Sequence, residues 1–525
     1  MSITRGIDIK LNVQPIFGMV YHEYIFEGPC RFGSGDQLTE DYDRMTAEVA
    51  FNTFSSSIEE YFNASYLNIL PMKRFELNEE FNFKDELIDP LTDNAREVDV
   101  YVVSSTGRIN YGLLSLAEKT NKPIITLQFC CNNTTSSAML INRGFEAYAF
   151  TTWQKCADFL RVMRVRKVLK NTNVLLATRG NSNMAAASAA DGFISLEDVT
   201  KKLGPHFAYV DIHEFIEQTR YIPKQEKYSL ESTNATLPGR VVNNINDEDM
   251  AEIEKKADEL IAGAEEVRME RKYIINSLRA NKTVQKIMDH LGCNAFAAPC
   301  PEMCATRRLN QEQFTMCFNH SLNNESGIPS ACEYDVPGLM AMIILSNLSF
   351  SAPYLGNCVC VTLKEDGETP LFNMVPYNGL DKMVKEFDPE VRKNLMLTFH
   401  SVANRKLKGF DAKPGSYAIS PFTGSGWGAT MRHNFNDDKG QVITMARVAP
   451  DASSIFVARG TIVGCVGYDL QGCTHGVLFT VKNRDDYFRK QVAFGNHTPI
   501  VYGDYVEDVK RLGDLIGIKV VEGGI

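Results

Sequence analysis

Apolar and polar positions alternate in two distinct regimes along this chain. In the first half, compact apolar runs are separated by helical patterns. Val98-Asp99-Val100-Tyr101-Val102-Val103 is a β-type run, Tyr111 to Asn121 has helical spacing, and Pro123-Ile124-Ile125-Thr126-Leu127 is a second run. That order predicts a βαβ unit and hence parallel strands. Leu67 to Pro71 suggests a further strand, and Trp153 to Lys170 a basic amphipathic helix closing the region. A second α/β pattern begins with Asn173 to Thr178 and continues through a Gly/Asn/Ser loop, a helix around Leu196 to Leu203 and a strand at Phe207 to Ile212. Residues 218–246 are polar and aperiodic, which predicts an irregular excursion. Met250, Ile253, Ala257, Leu260, Ile261, Ala264 and Val267 then recur at helical spacing, predicting a helix from Asp247 to Leu291, broken once. Its acidic start suits the helix dipole and Gly292 suits its C-cap. Ala295 to Ala298 predicts a short buried strand.

Beyond Ser349-Phe350-Ser351-Ala352-Pro353 short β-type runs dominate: Val359 to Leu363, Val442 to Val448, Ile455 to Val466 and Val477 to Val481. Gly, Asp and Asn punctuate them, which favours an antiparallel sheet or barrel. A helix from Tyr505 to Leu515 precedes a last run, Ile518 to Val521. The expected class is therefore α/β: two parallel-sheet α/β domains, 1–171 and 172–352, followed by a β-rich, barrel-like domain, 353–525.

Composition narrows the partners. The formal net charge of -10 comes without any dense Lys/Arg run, which argues against nucleic acid or an anionic membrane surface. No apolar stretch is long enough to span a bilayer and the first residues lack a signal core, so a cytoplasmic protein is expected. The 13 cysteines show no disulfide framework and read as reduced thiols.

The candidate chemistry centres on Ser330-Ala331-Cys332-Glu333-Tyr334-Asp335-Val336-Pro337-Gly338, where two acids stand one residue apart before an apolar helix, Leu339 to Leu348. Asp335 could simply cap that helix, a role worth about 1 kcal/mol. His400, after the apolar run Leu395 to Phe399, and His497, in a polar loop before a β-type run, are candidate metal ligands; His475 competes with them. Carboxylate and imidazole ligands with open positions suit Mn²⁺, Mg²⁺, Fe²⁺ or Co²⁺. Cys293, Cys300, Cys304 and Cys317 lack a C-x-x-C knuckle and read as buried small thiols. Gly424-Ser425-Gly426-Trp427-Gly428 lacks the flanks of a phosphate loop, but its glycines permit close approach to a substrate, which makes Trp427 a candidate contact. Arg405, Lys406 and Arg432 could recognise an anionic group. No G-x-G-x-x-G follows a strand, which opposes a dinucleotide-dependent dehydrogenase.

The chain resembles the L-fucose isomerase and L-arabinose isomerase superfamily in three segments: Ala331 to Gly338, Phe399-His400-Ser401, and Gly495-Asn496-His497-Thr498 to Asp504. The likeness covers about Asn294 to the C-terminus and is architectural before it. It implies a metal-dependent aldose–ketose isomerase acting on an open-chain sugar through a cis-enediol, in a homo-oligomer, trimeric or hexameric. The implied divalent metal, Mn²⁺ first, would be held by Glu333, Asp335, His400 and His497. Glu333 and Asp335 would also move protons, with Asn357, Arg405 and Trp427 at the substrate. Arabinose isomerases use the acid at Glu333, fucose isomerases that at Asp335. Asn357 stands where a second arabinose-type carboxylate is expected, and Glu302 and Glu312 both compete for the upstream fucose-type glutamate. A non-catalytic sugar-binding or regulatory paralogue is the alternative.

Overall fold

The computed structural model describes residues 3–21, 34–78, 84–127, 131–178, 195–223, 244–304, 306–371 and 380–525. The loop expected after Thr178 and most of the 218–246 excursion lie outside them. The chain forms two compact units, Ile9–Arg164 and a second made of Met1–Asp8 with Val165–Ile525.

In the first unit the strands are β1 (Leu11–Val20), β2 (Leu67–Ile69), β3 (Lys73–Leu77), β4 (Val100–Ser105), β5 (Ile124–Thr126) and β6 (Ala147–Ala149). They pair in the order β2-β1-β4-β5-β6, with β3 on the second half of β1, and every ladder is parallel. The expected βαβ unit is present as β4, the helix Asn110–Thr120 and β5. The central strand β1 has no counterpart among the predicted elements, because Asn12, Gln14, Pro15 and Gly18 interrupt its apolar pattern. Gly18 is required by packing: a Cβ there would stand 2.7 Å from the Phe75 ring.

The second unit begins with β7 (Asn173–Thr178), β8 (His206–Asp211), β9 (Glu266–Val267), β10 (Ala295–Ala297) and β11 (Ser330–Ala331). Four of these form a parallel sheet in the order β11-β10-β7-β8. The long helix expected over 247–291 is two helices, Asp247–Gly263 and Arg271–Leu291, with β9 in the break. Asn246 caps the first with a capping box, and Gly292, at φ 64°, ends the second. Helix Val336–Ser349 is buried at every position from Val336 to Leu348, as its all-round apolar sequence requires.

The β-rich remainder comprises β12 (Asn357–Cys360), β13 (Leu395–Phe399), β14 (Ala418–Pro421), β15 (Ala429–Arg432), β16 (Val442–Val448), β17 (Ser454–Val466), β18 (Gly476–Thr480), β19 (Ile500–Tyr502) and β20 (Lys519–Gly523). The main sheet runs β12-β13-β18-β17-β16-β19 with antiparallel ladders, and β20 adds a parallel pairing to β17. Single bridges, Tyr354 to Ile500 and Asn357 to His497, join the chain around β12 to the chain around β19. β14 pairs with β15 and β9 in a small third sheet. Among the described residues no helix is long and apolar enough to cross a membrane.

Candidate metal centre

Ligands of open parallel sheets gather outside the carboxyl ends of the strands. Here β10 and β11 lie side by side, and the chain leaves them at Ala298 and Cys332. A buried polar helix, Cys317–Glu325, holds this end in place. Asn324 clamps β11 with both ends of its amide, accepting from Ser330 N at 2.8 Å and donating to Ser330 O at 3.1 Å.

Directly after β11, Glu333 and Tyr334 both adopt left-handed backbone, at φ 60° and 57°. For residues with a Cβ this costs about 1–3 kcal/mol each and persists only where the surroundings enforce it. Tyr334 N–H donates to Ala298 O at 2.8 Å, tying the turn to the end of β10. Asp335 then caps helix Val336–Ser349 through Gly338 N at 2.9 Å. A Cβ on Gly338 would collide with the same carboxylate.

Two strands of the main sheet supply the imidazoles. His400 follows β13 and His497 precedes β19; both are fully buried. Their rings lie 5.6 Å apart at 66°, and the half-buried Glu333 carboxylate faces both. Glu333 Oε1 is 3.4 Å from His400 Nε2, and Oε2 is 3.6 Å from His497 Nε2. Among the described residues neither Nε2 has a hydrogen-bond partner. Two ligands about 2.1 Å from one ion stand about 3.0–3.4 Å apart between octahedral and tetrahedral angles. The Glu333–His497 gap is thus within a few tenths of an ångström of sharing an ion.

The two histidines are prepared differently. Asp335 Oδ2 lies 2.9 Å from His497 Nδ1, and Arg447 grips the same carboxylate through Nη1 at 2.7 Å and Nη2 at 3.0 Å. Arg447 Nη1 also donates to His497 O at 2.7 Å. With its Nδ1 proton held by Asp335, neutral His497 presents a bare Nε2 lone pair to Glu333, as a carboxylate behind a metal-bound histidine arranges it. For His400, by contrast, Ser401 N–H donates to Nδ1 at 2.9 Å. A neutral ring accepting there carries its proton on Nε2, facing Glu333. That geometry opposes His400 as a neutral Nε2 ligand and presents it as a donor. Asp335, wholly buried, already accepts from Gly338, from His497 and twice from Arg447, so no lone pair remains for a metal. It stands behind the site rather than in it.

The electrostatics follow. Burial opposes the Asp335 charge, but Arg447 and His497 hold its carboxyl far below the ordinary range. Burial disfavours protonated His497 and His400 alike. The Asp335 hydrogen bond and charge nonetheless raise His497, whereas Glu333 does not prevent His400 from falling. Burial would raise Glu333, yet the two histidines lower it.

A second set of donors adjoins the first. The ligand atoms of Cys332, Glu333 and His400 lie within 4.8 Å of one another, as do those of Cys300, His320 and Cys332. The chain therefore carries clustered donors fit for a divalent metal, including two cysteines and a histidine that spacing along the sequence did not single out as a site.

The other candidates lie elsewhere or are engaged. The Arg405 fork is filled by Glu325, with Nε to Oε2 at 2.9 Å, and stacks on Tyr417. Lys406 Nζ donates to the carbonyls of Phe410 and Ala412. Asn357 Oδ1 accepts from Asn496 Nδ2 at 2.6 Å, beside the bridge to His497. Trp427 occupies the β14–β15 loop, its backbone N–H donating to Thr423 Oγ1 at 3.2 Å. Glu312 pairs with Arg279 at 3.1 Å, and Glu302 is half-buried in the short helix Cys300–Cys304. His475 stacks on Phe435, and its carbonyl accepts from His400 N at 2.8 Å. Arg432 is wholly buried; Nη2 donates to Gly472 O at 3.0 Å, while Nε and Nη1 have no hydrogen-bond partner among the described residues.

Comparison with models of known protein families and with curated proteins finds no match.

Proposed function

We propose that the chain is a metal-dependent aldose–ketose isomerase of the fucose/arabinose isomerase type, acting on an open-chain sugar. One observation carries this reading: the buried His497 Nε2, without a hydrogen-bond partner among the described residues, fixed by Asp335 and Arg447, 3.6 Å from the Glu333 carboxylate. Glu333 and His497 would hold the ion, Mn²⁺ first, with substrate oxygens and water completing its shell. The bound ion would supply Lewis acidity, polarising adjacent hydroxyl and carbonyl oxygens. Glu333, ionised at neutral pH and partly exposed, is the acid group placed to take the proton beside the carbonyl. The His400 Nε2 proton faces that carboxylate and can be donated to an oxygen beside it, as a cis-enediol pathway requires. Asp335 holds the His497 tautomer and moves no proton.

One observation favours the alternative, a non-catalytic sugar-binding or regulatory paralogue. Asp335 is spent on Arg447, and Asn357, which stands where the resemblance implies a second carboxylate, is bonded to Asn496, which leaves Glu333 alone of the Glu333–Asp335 pair available for proton transfer. Incubation with aldoses and ketoses in D₂O plus Mn²⁺, followed by proton NMR, separates the two. Metal-dependent exchange at C2, lost in Glu333→Gln, is expected. Mn²⁺ binding without exchange on any sugar would favour the paralogue, and neither binding nor exchange would sink both metal-based readings.

A further inference from the structure

The Cys300–His320–Cys332 group is not used by the isomerase reading, yet it is assembled from three elements. Cys300 begins the short helix after β10, His320 lies on helix Cys317–Glu325, and Cys332 follows β11. The three are 7%, 0% and 3% exposed, so bulk solvent does not account for their arrangement. Cys300 Sγ stands 3.4 Å from His320 Nε2. Sulfur and nitrogen ligands at about 2.3 and 2.0 Å on one tetrahedral ion are about 3.5 Å apart. His320 Nδ1 lies 2.8 Å from Ser330 Oγ, which orients the ring and favours a Nδ1–H tautomer with the Nε2 lone pair toward the thiols. Asn323 Nδ2 in turn donates to Ser330 Oγ at 3.4 Å.

We propose that Cys300, His320 and Cys332 bind a thiophilic divalent ion of the zinc class, in a site separate from the Glu333–His497 centre. Two thiolates and one imidazole select a borderline-soft ion over Mn²⁺ or Mg²⁺, which prefer the oxygen-bearing site next door. Binding expels one proton from each thiol, and the resulting two negative charges cancel the ion's two positive ones. A net-neutral cluster suits so buried a position. Its consequence is positional: the ion cross-links the ends of β10 and β11 to the helix behind them. Cys332 immediately precedes the left-handed pair Glu333 and Tyr334, so an ion here braces the turn that aims Glu333.

Metal-free, reduced full-length protein is titrated anaerobically with Co²⁺ as a spectroscopic stand-in for zinc. A sulfur-to-cobalt charge-transfer band saturating at one equivalent is expected, abolished by Zn²⁺ and untouched by Mn²⁺. Cys300→Ser and Cys332→Ser should each lose the band. Ser330→Ala, which leaves every ligand in place, should weaken Co²⁺ binding about 10–100-fold. Glu333→Gln and His497→Asn should retain the band, which makes this outcome independent of the isomerase reading. No band in the wild-type protein overturns the proposal, even if a cysteine variant fails to fold. So does a band that survives in both folded cysteine variants, or wild-type affinity in Ser330→Ala.

Discussion

Replacing Asp335 by Asn tests the part assigned to the buried acid. The change preserves side-chain shape and an oxygen able to cap helix Val336–Ser349, so the bond from Gly338 N can persist. It removes the charge facing Arg447, which lies at 0% exposure, with its bidentate contacts at 2.7 and 3.0 Å. An uncompensated buried charge left by loss of its partner costs about 3–5 kcal/mol. The variant should therefore unfold at a markedly lower urea concentration than the parent. An Asp335→Leu/Arg447→Met double variant should recover much of the loss, because the charge and its counter-charge leave together. The second consequence is at the metal. With a weaker acceptor for His497 Nδ1–H, Mn²⁺ affinity should fall about 10–100-fold, the usual loss when the group that orients a metal-binding histidine is changed. At about 1.4 kcal/mol per tenfold, calorimetric titration resolves this. Wild-type Mn²⁺ affinity in the folded variant would refute the role given to Asp335. Complete loss of binding would instead make Asp335 a direct ligand, contrary to its four filled acceptor positions.

Three further outcomes follow from the same geometry. His400→Gln should keep Mn²⁺ affinity within about tenfold yet slow C2 proton exchange about 10²–10⁴-fold; loss of Mn²⁺ binding would return His400 to the ligand shell. Gly338→Ala drives a methyl group into the Asp335 carboxylate and should destabilise by about 1–3 kcal/mol in urea unfolding; unchanged stability would contradict that packing. Asp438 accepts from Tyr502 Oη at 2.6 Å, pairs with His433 at 2.6 Å and Lys408 at 2.8 Å, and despite burial is held far below the ordinary carboxylate range by His433 and Lys408. A depressed folded-state pKa adds stability at pH above the unfolded value of about 3.9, and the gain is lost as pH falls through the folded one. The stability gap between the parent and Asp438→Asn should thus be full at pH 7 and shrink below about pH 4; a gap constant over pH 3–7 would refute the linkage.

The coarse architecture was legible because each regime has its own period. Continuous apolar runs flanked by helical spacing gave away the parallel sheets, and short punctuated runs the antiparallel one. β1 was not legible: a strand covered on both faces tolerates Gln14, Pro15 and Gly18 when its neighbours satisfy them, and Gln14 Nε2 donates to Pro71 O at 2.8 Å. At the site, Glu333, Asp335, His400 and His497 lie close together. What the one-dimensional pattern could not express was direction. Which nitrogen of each histidine is free depends on Ser401 N–H and on Asp335, and Asp335 is withdrawn from the site by Arg447, 112 positions away. His320 lies in a polar stretch without apolar periodicity that nonetheless forms a buried helix. A signal was present nonetheless: Cys300 and Cys332 each follow a short apolar step, which is where adjacent parallel strands end.

Anomalous scattering from crystals of the full-length protein soaked in Mn²⁺ tests the proposed centre most directly. The expected result is a manganese peak bonded to a Glu333 carboxylate oxygen and to His497 Nε2, at about 2.0–2.3 Å from each, with Asp335 still on Arg447. A peak only among Cys300, His320 and Cys332, or none within bonding distance of Glu333 and His497, would contradict it.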